Sequence, residues 1–180
     1  AALFQACWIG SHLAHGPAGL QFVERYPWIP SLGVDYFVGV DGVSYPLILL
    51  SALVVPLSLL LSWGLADRPR AFHAMVLLIQ GGLFGAFTAL NFFHWFIYWE
   101  LVLIPAYFLI KNWGGPGRRA AATQFFIYTM AGSVALLLAM QAVYIASGTF
   151  DLIRLAELAR SGELARGISS KLHWLGLSGP

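Results

Sequence analysis

Four stretches of this chain stay apolar long enough to cross a bilayer: residues 42–63, 71–90, 92–110 and 121–146. At about 1.5 Å of rise per residue, roughly 20 helical residues match the hydrocarbon thickness, so each stretch predicts a membrane-spanning helix. The first 13 residues are also apolar but too short to span, and read as the end of an earlier helix. Asp67-Arg68-Pro69-Arg70 closes the first complete span, a short turn at Asn91 follows the second, and the glycine-rich run from Lys111 to Arg119 follows the third. Pro46 falls in the first turn of its helix, where a missing N–H costs little, whereas Pro56 predicts a kink. Gly81, Gly85 and Ala89 recur every four residues and predict a small-residue face for close helix packing.

The segments between and after the spans read differently. Residues 16–41 hold Pro17, Pro27 and Pro30 with the interfacial anchors Tyr26 and Trp28. They predict a loop in which the β-branched and aromatic run Val34-Asp35-Tyr36-Phe37-Val38 forms a short strand or hairpin at the water interface. Residues 150–166 predict an amphipathic helix, with Leu152, Leu155, Ala156 and Ala159 as its apolar stripe and Thr149 as N-cap. Asp151/Arg154, Glu157/Arg160 and Glu163/Arg166 are set as i, i+3 acid-base pairs on it. This helix is expected on the membrane surface or on a neighbouring subunit, and its near-zero charge argues against anchoring on anionic lipid. The fold class is therefore all-α. It is a multi-span bundle over residues 1–146, with 14–41 as an external loop, followed by an external amphipathic segment over 147–180.

Composition supports the membrane class. The 180 residues are 59% hydrophobic and 10% charged, against about 25% charged in a typical soluble domain. Ten basic and eight acidic residues leave a formal charge of +2, too balanced for a nucleic-acid partner. The basic side chains cluster in two loops, 67–70 and 111–119, that an alternating topology puts on one side. The positive-inside rule assigns that side to the cytoplasm. The start at Ala1, inside an apolar run, and the polar end at Pro180 suggest an excerpt of a longer protein, and no signal peptide is recognisable.

The single cysteine, Cys7, excludes an internal disulfide, and no Cys/His spacing suits zinc, haem or an iron–sulfur cluster. The five histidines are scattered near predicted membrane edges and loops, and His94 is expected at the interface. The chemistry concentrates instead in Glu100, the only charge between Phe92 and Ile110 and the ninth residue of that run. It falls near the bilayer midplane, where a carboxylate costs a few kcal/mol and is expected only where it faces protein or water. The alternative role is a buried hydrogen-bonding group that locks two helices together. Pro105 frees the carbonyl of Leu101, beside Glu100, and loosens the helix there. Tyr107 lies seven residues on, nearly on the same face, as a possible hydrogen-bonding support. Gln124 and Tyr128 share a face of the fourth span, where interhelical hydrogen bonding explains them as well as transport does.

Taken together, several runs resemble the M-type, antiporter-like membrane subunit of respiratory complex I, the NADH:quinone oxidoreductase, whose mitochondrial counterpart is chain 4. They are Trp28-Ile29-Pro30, Gly39-Val40-Asp41-Gly42-Val43-Ser44, Trp99-Glu100-Leu101 with Ile104-Pro105, Trp113-Gly114-Gly115, and Phe125-Phe126-Ile127-Tyr128-Thr129 with Gly132-Ser133. The resemblance implies a piece of a roughly fourteen-helix fold of two inverted repeats. In that fold Glu100 is the fifth-helix carboxylate, paired with a seventh-helix lysine that is absent from this chain. The implied function is proton translocation by a non-redox subunit, this chain alone being no catalyst, with NADH, flavin, iron–sulfur clusters and quinone held by other subunits. The implied partners are neighbouring antiporter-like subunits and the lipid bilayer. The family usually has lysine where this chain has Gln124. A multisubunit cation/proton antiporter or a membrane-bound hydrogenase complex is the alternative assembly, because both carry related subunits.

Overall fold

A computed structural model describes residues 2–16, 19–64 and 67–174, with the backbone alone at 172–174. Pro17 and the last residues of the 147–180 segment lie outside the described residues. The elements run α1 (Ala2–His15), β1 (Gln21–Ile29), β2 (Val34–Val40), α2 (Ser44–Leu61), α3 (Pro69–Thr88), α4 (Phe92–Trp113), α5 (Arg118–Ser147), α6 (Leu152–Arg160) and α7 (Glu163–Trp174). Helices α2 to α5 are the four with the length and hydropathy of membrane spans. The multi-span helical bundle therefore stands, with α2 and α4 running unbroken through Pro56 and Pro105.

The expected loop before α2 is an antiparallel hairpin, longer than the strand read at Val34–Val38. A 3-10 turn at Pro30–Leu32 and left-handed Gly33 (φ 62°) reverse the chain. Pro27 is tolerated in β1 because that strand has only one partner, which leaves an edge where a missing N–H breaks no ladder bond. The pairing register slips beside it, between Pro27 and Ile29.

Three side-chain caps start the helices. The Asp41 Oδ1 accepts from the main-chain N–H of Ser44 at 2.7 Å and of Val43 at 3.1 Å, while Ser44 Oγ accepts from the Asp41 N–H at 2.9 Å. The Ser44 N–H is the main reason the Asp41 carboxyl sits below its ordinary value. A depressed carboxylate contributes stability above its unfolded pKa of about 4 and loses it as pH falls through the folded value. Asp41→Ala should therefore lower stability by about 1 kcal/mol near neutral pH. Melting curves from pH 7 to pH 3 should show the gap between wild type and Asp41→Ala closing in acid. A gap independent of pH would refute the charged cap.

Asn91 caps α4 by accepting from the N–H of Phe93 and His94. At the head of α6 the cap is Asp151, which accepts from Ile153 and Arg154, and not Thr149, whose Oγ1 instead accepts from the Asp151 N–H. The expected single amphipathic helix is two, α6 and α7, because Gly162 at φ 74° breaks it. Arg154 meets Glu157 at 3.4 Å instead of Asp151, and Arg166 turns to the main-chain oxygens of Ser161 and Gly162.

On the predicted small-residue face Gly85 makes the close contact, while Gly82 takes the place of Gly81. A Cβ on Gly85 would strike the Tyr98 ring and one on Gly82 would meet Val102, whereas Gly81 has open space around it. Gly82 and Gly85 are thus where α3 lies close against α4.

The two ends of the bundle are built differently. At one end Trp113 Nε1 donates to the Asp67 carbonyl at 2.8 Å, which brings the two basic loops together. At the other end, main-chain bonds knit the hairpin to both interhelical links. Leu90 N–H donates to Phe37 (2.8 Å), Leu152 N–H to Leu90 (2.9 Å) and Phe92 N–H to Phe150 (2.7 Å). Arg25 adds ion pairs to Asp35 at 2.7 Å and Asp151 at 3.0 Å, with its guanidinium over the Phe37 ring.

Candidate functional site

Asn91 fixes where α4 begins and the Gly82/Gly85 contact fixes its distance from α3, and Glu100 follows from both. The carboxyl is half-buried, and its Oε1 is fully enclosed without a hydrogen-bond partner among the described residues. It lines an apolar cavity of about 540 Å³ bounded by α2, α3, α4 and α5 and closed toward the hairpin end by Gly39, Asp41 and Leu152. Trp95, Trp99 and Leu103 extend the wall from α4 itself. The polar side chains in this wall besides Glu100 are Asp41, Ser44 and Thr129. The first two are engaged with each other, and the Thr129 hydroxyl donates to the Phe125 carbonyl at 2.8 Å.

An enclosed carboxyl oxygen without a donor is a costly arrangement, and the group calls for a hydrogen-bond donor or a cation. Such a group can hold a proton and exchange it only with something brought to the cavity. Among the described residues no cluster of three His, Cys, Asp or Glu could hold a metal ion.

Of the other residues singled out from the sequence, Pro105 is wholly buried in α4, five residues beyond Glu100. Tyr107 is turned away from the cavity: its hydroxyl accepts from Lys111 Nζ at 3.1 Å, the ammonium lies over its ring, and Phe126 meets the ring edge. Gln124 and Tyr128 are exposed on α5, and it is their neighbours Phe125 and Thr129 that line the cavity. The structure does not bring Tyr107 or Gln124 to Glu100. His94 is buried beneath the hairpin, against Trp28, Tyr36 and Tyr98. Sequence reasoning missed Ser44 and Thr129 as liners and Lys111 as the partner of Tyr107. Only the last had a local signal, a helical i, i+4 spacing.

Two family models match adjoining parts of the chain and together take in most of it. One, described as NADH-ubiquinone oxidoreductase chain 4, amino terminus, matches residues 19–86. The other, described as NADH:quinone oxidoreductase/Mrp antiporter, TM, matches residues 89–177. The chain belongs to the chain 4 family. Among its curated relatives, NAD(P)H-quinone oxidoreductase chain 4 1 of Synechococcus elongatus is 41% identical over 151 residues, which is 84% of this chain and 28% of that protein. F(420)H(2) dehydrogenase subunit M of Methanosarcina mazei is 46% identical over 122 residues, 67% of this chain and 25% of that one. The chain thus spans only about a quarter of the length of these relatives.

Among solved structures, respiratory complex I from Thermus thermophilus superposes with a TM-score of 0.70 at 29% identity, covering 86% of this chain and 33% of its counterpart. The Mrp complex from a Dietzia species gives the same TM-score at 21% identity, covering 94% and 19%, and shares the fold. Four span-length helices and chain 4 family membership make this a multi-pass membrane protein.

Proposed function

We propose that the chain is part of a proton-translocating membrane-arm subunit of a quinone-reducing oxidoreductase, and that Glu100 is the group on which the proton rests in transit. The observation that carries this reading is the enclosed, partnerless Oε1 of Glu100 at the wall of an apolar cavity. A carboxylate in that position needs a cation or a proton from beyond the described residues, and a membrane lysine from the remainder of the subunit supplies one. Pairing raises the lysine's affinity for its proton, and separating the pair releases it. Breaking a buried pair costs about 3 to 5 kcal/mol, and at about 2.3 kcal/mol per 100 mV this is the work of moving one charge through roughly 150 to 200 mV. The magnitudes suit a pump.

In this reading the subunit holds no redox group, and NADH, flavin, iron–sulfur clusters and quinone belong to its partners. The end that carries residues 67–70 and 111–119 faces the cytoplasm across the inner membrane, and the hairpin faces out. Neighbouring antiporter-like subunits pack alongside. The Methanosarcina relative, similar to this chain over 122 residues, favours a second reading in which the electron donor is F(420)H(2) instead of a nicotinamide. Identification of the copurifying electron-input subunits separates the two.

The test of the site is chemical. A hydrophobic carbodiimide, applied to the assembled complex, should label Glu100 and stop proton transfer while donor oxidation continues without coupling. Full labelling with undiminished proton transfer would overturn the proposal.

A further inference from the structure

Beneath the hairpin lies a second cavity, of about 370 Å³, that the Glu100 mechanism does not use. Tyr26, Trp28 and Tyr36 of the hairpin and His94, Ile97 and Tyr98 of α4 line it. His94 is only 4% exposed, and its Nδ1 is enclosed without a hydrogen-bond partner among the described residues. In the tautomer protonated on Nε2, the imidazole offers Nδ1 as a lone pair that calls for a donor. Around it are the faces and edges of aromatic rings, with Tyr36 and Tyr98 centred 4.8 Å and 4.9 Å from the imidazole and Trp28 at 6.1 Å.

The Glu24 carboxylate lies near Tyr36, in the hairpin wall of this cavity. Burial, the neighbouring Tyr98 and the Glu24 carboxylate push the Tyr36 phenol up from its ordinary value. Glu24 has no ion-pair partner among the described residues, and Arg25, the nearby cation, is held by Asp35 and Asp151. An aromatic box with a spare acceptor and a nearby carboxylate is built for an ammonium that still carries hydrogens, because ring faces attract the charge and the lone pair takes an N–H.

We propose that this cage binds the primary ammonium of an aminophospholipid headgroup at the hairpin end of α4. A lipid is favoured over a soluble amine by where the box opens. Tyr26 is 62% and Trp28 48% exposed, as in an interfacial aromatic belt, and Ile97, exposed at 39%, continues the wall along the membrane-crossing part of α4 where an acyl chain would lie.

The experiment places the assembled complex, with the full-length subunit, in nanodiscs of equal phosphatidylethanolamine, phosphatidylcholine and phosphatidylglycerol, and measures the lipid retained on extraction by native mass spectrometry. Wild type should retain phosphatidylethanolamine about fivefold over the other two: over phosphatidylglycerol because that headgroup carries no cation for the ring faces, and over phosphatidylcholine because only a primary ammonium can donate to Nδ1. Trp28→Leu should remove most of that excess, and His94→Leu should erase the preference over phosphatidylcholine, whose trimethylammonium has no hydrogen to give. Tyr26→Leu alters a largely exposed ring, leaves folding intact, and should also reduce retention. Leu61→Val, at the far end of α2, should not. Equal retention of the three lipids, retention unaffected by these cage variants, or a neighbouring subunit's lysine found seated in the cage would each overturn the assignment.

Discussion

A Glu100→Gln variant of the full-length subunit is expected to assemble, to pass electrons from donor to quinone, and to move at least about tenfold fewer protons. Loss of a positioned acid or base typically costs 10²- to 10⁴-fold in the step it serves, and uncoupled leakage sets the floor of the measurement. Glutamine keeps the shape of the side chain and cannot ionise. Because Oε1 has no hydrogen bond among the described residues, the amide forfeits no contact on that side. In the full-length subunit it also leaves the proposed lysine partner without its counter-charge, so thermal stability should hold or fall. Proton uptake by proteoliposomes, measured alongside donor oxidation and melting temperature, separates the possibilities. A stabilising hydrogen-bonder would show falling stability with intact pumping, and undiminished pumping is the result that would end the proton role.

The second large effect concerns packing. Gly85→Val should reduce the stability of the subunit by about 3 kcal/mol or more, at the upper end of overpacking costs, because the new side chain would collide with the Tyr98 ring. Rigid helix backbone on one side and an aromatic ring on the other leave little room to yield. Gly81→Val, four residues earlier and in open space, should be nearly neutral and provides the control. Both are read as the yield of assembled complex and its unfolding temperature in detergent. Equal tolerance of the two would mean that α3 and α4 are not in the contact described here.

The spans were legible because a membrane helix is written as an uninterrupted run, and Glu100 was legible because a lone charge in such a run has no ordinary explanation. What depended on phase or on distance was not. Gly81 and Gly82 lie four and three residues before Gly85, both helical spacings, so only the position of Tyr98 and Val102 on α4 decides which glycine is needed. Thr149 and Asp151 are both good cap residues two positions apart, and Asp151 wins where it also pairs with Arg25, far away in sequence. The hairpin was under-read because Pro27 and Pro30 argue for a loop; an unshared strand edge tolerates the first and a tight turn uses the second. The cavity draws its polar wall from α2 and α5 as well as α4, so Ser44 and Thr129 could be named only once the helices were in place.

The stitched sheet at the hairpin end makes α4 a beam fixed at one support. Its first residues are bonded to the 150–152 link, whereas Pro105 removes a main-chain bond farther down, on the side of the basic loops. A push delivered at the Lys111 end would therefore bend the beam near its middle instead of sliding it whole, and the bend would fall within two turns of the carboxyl.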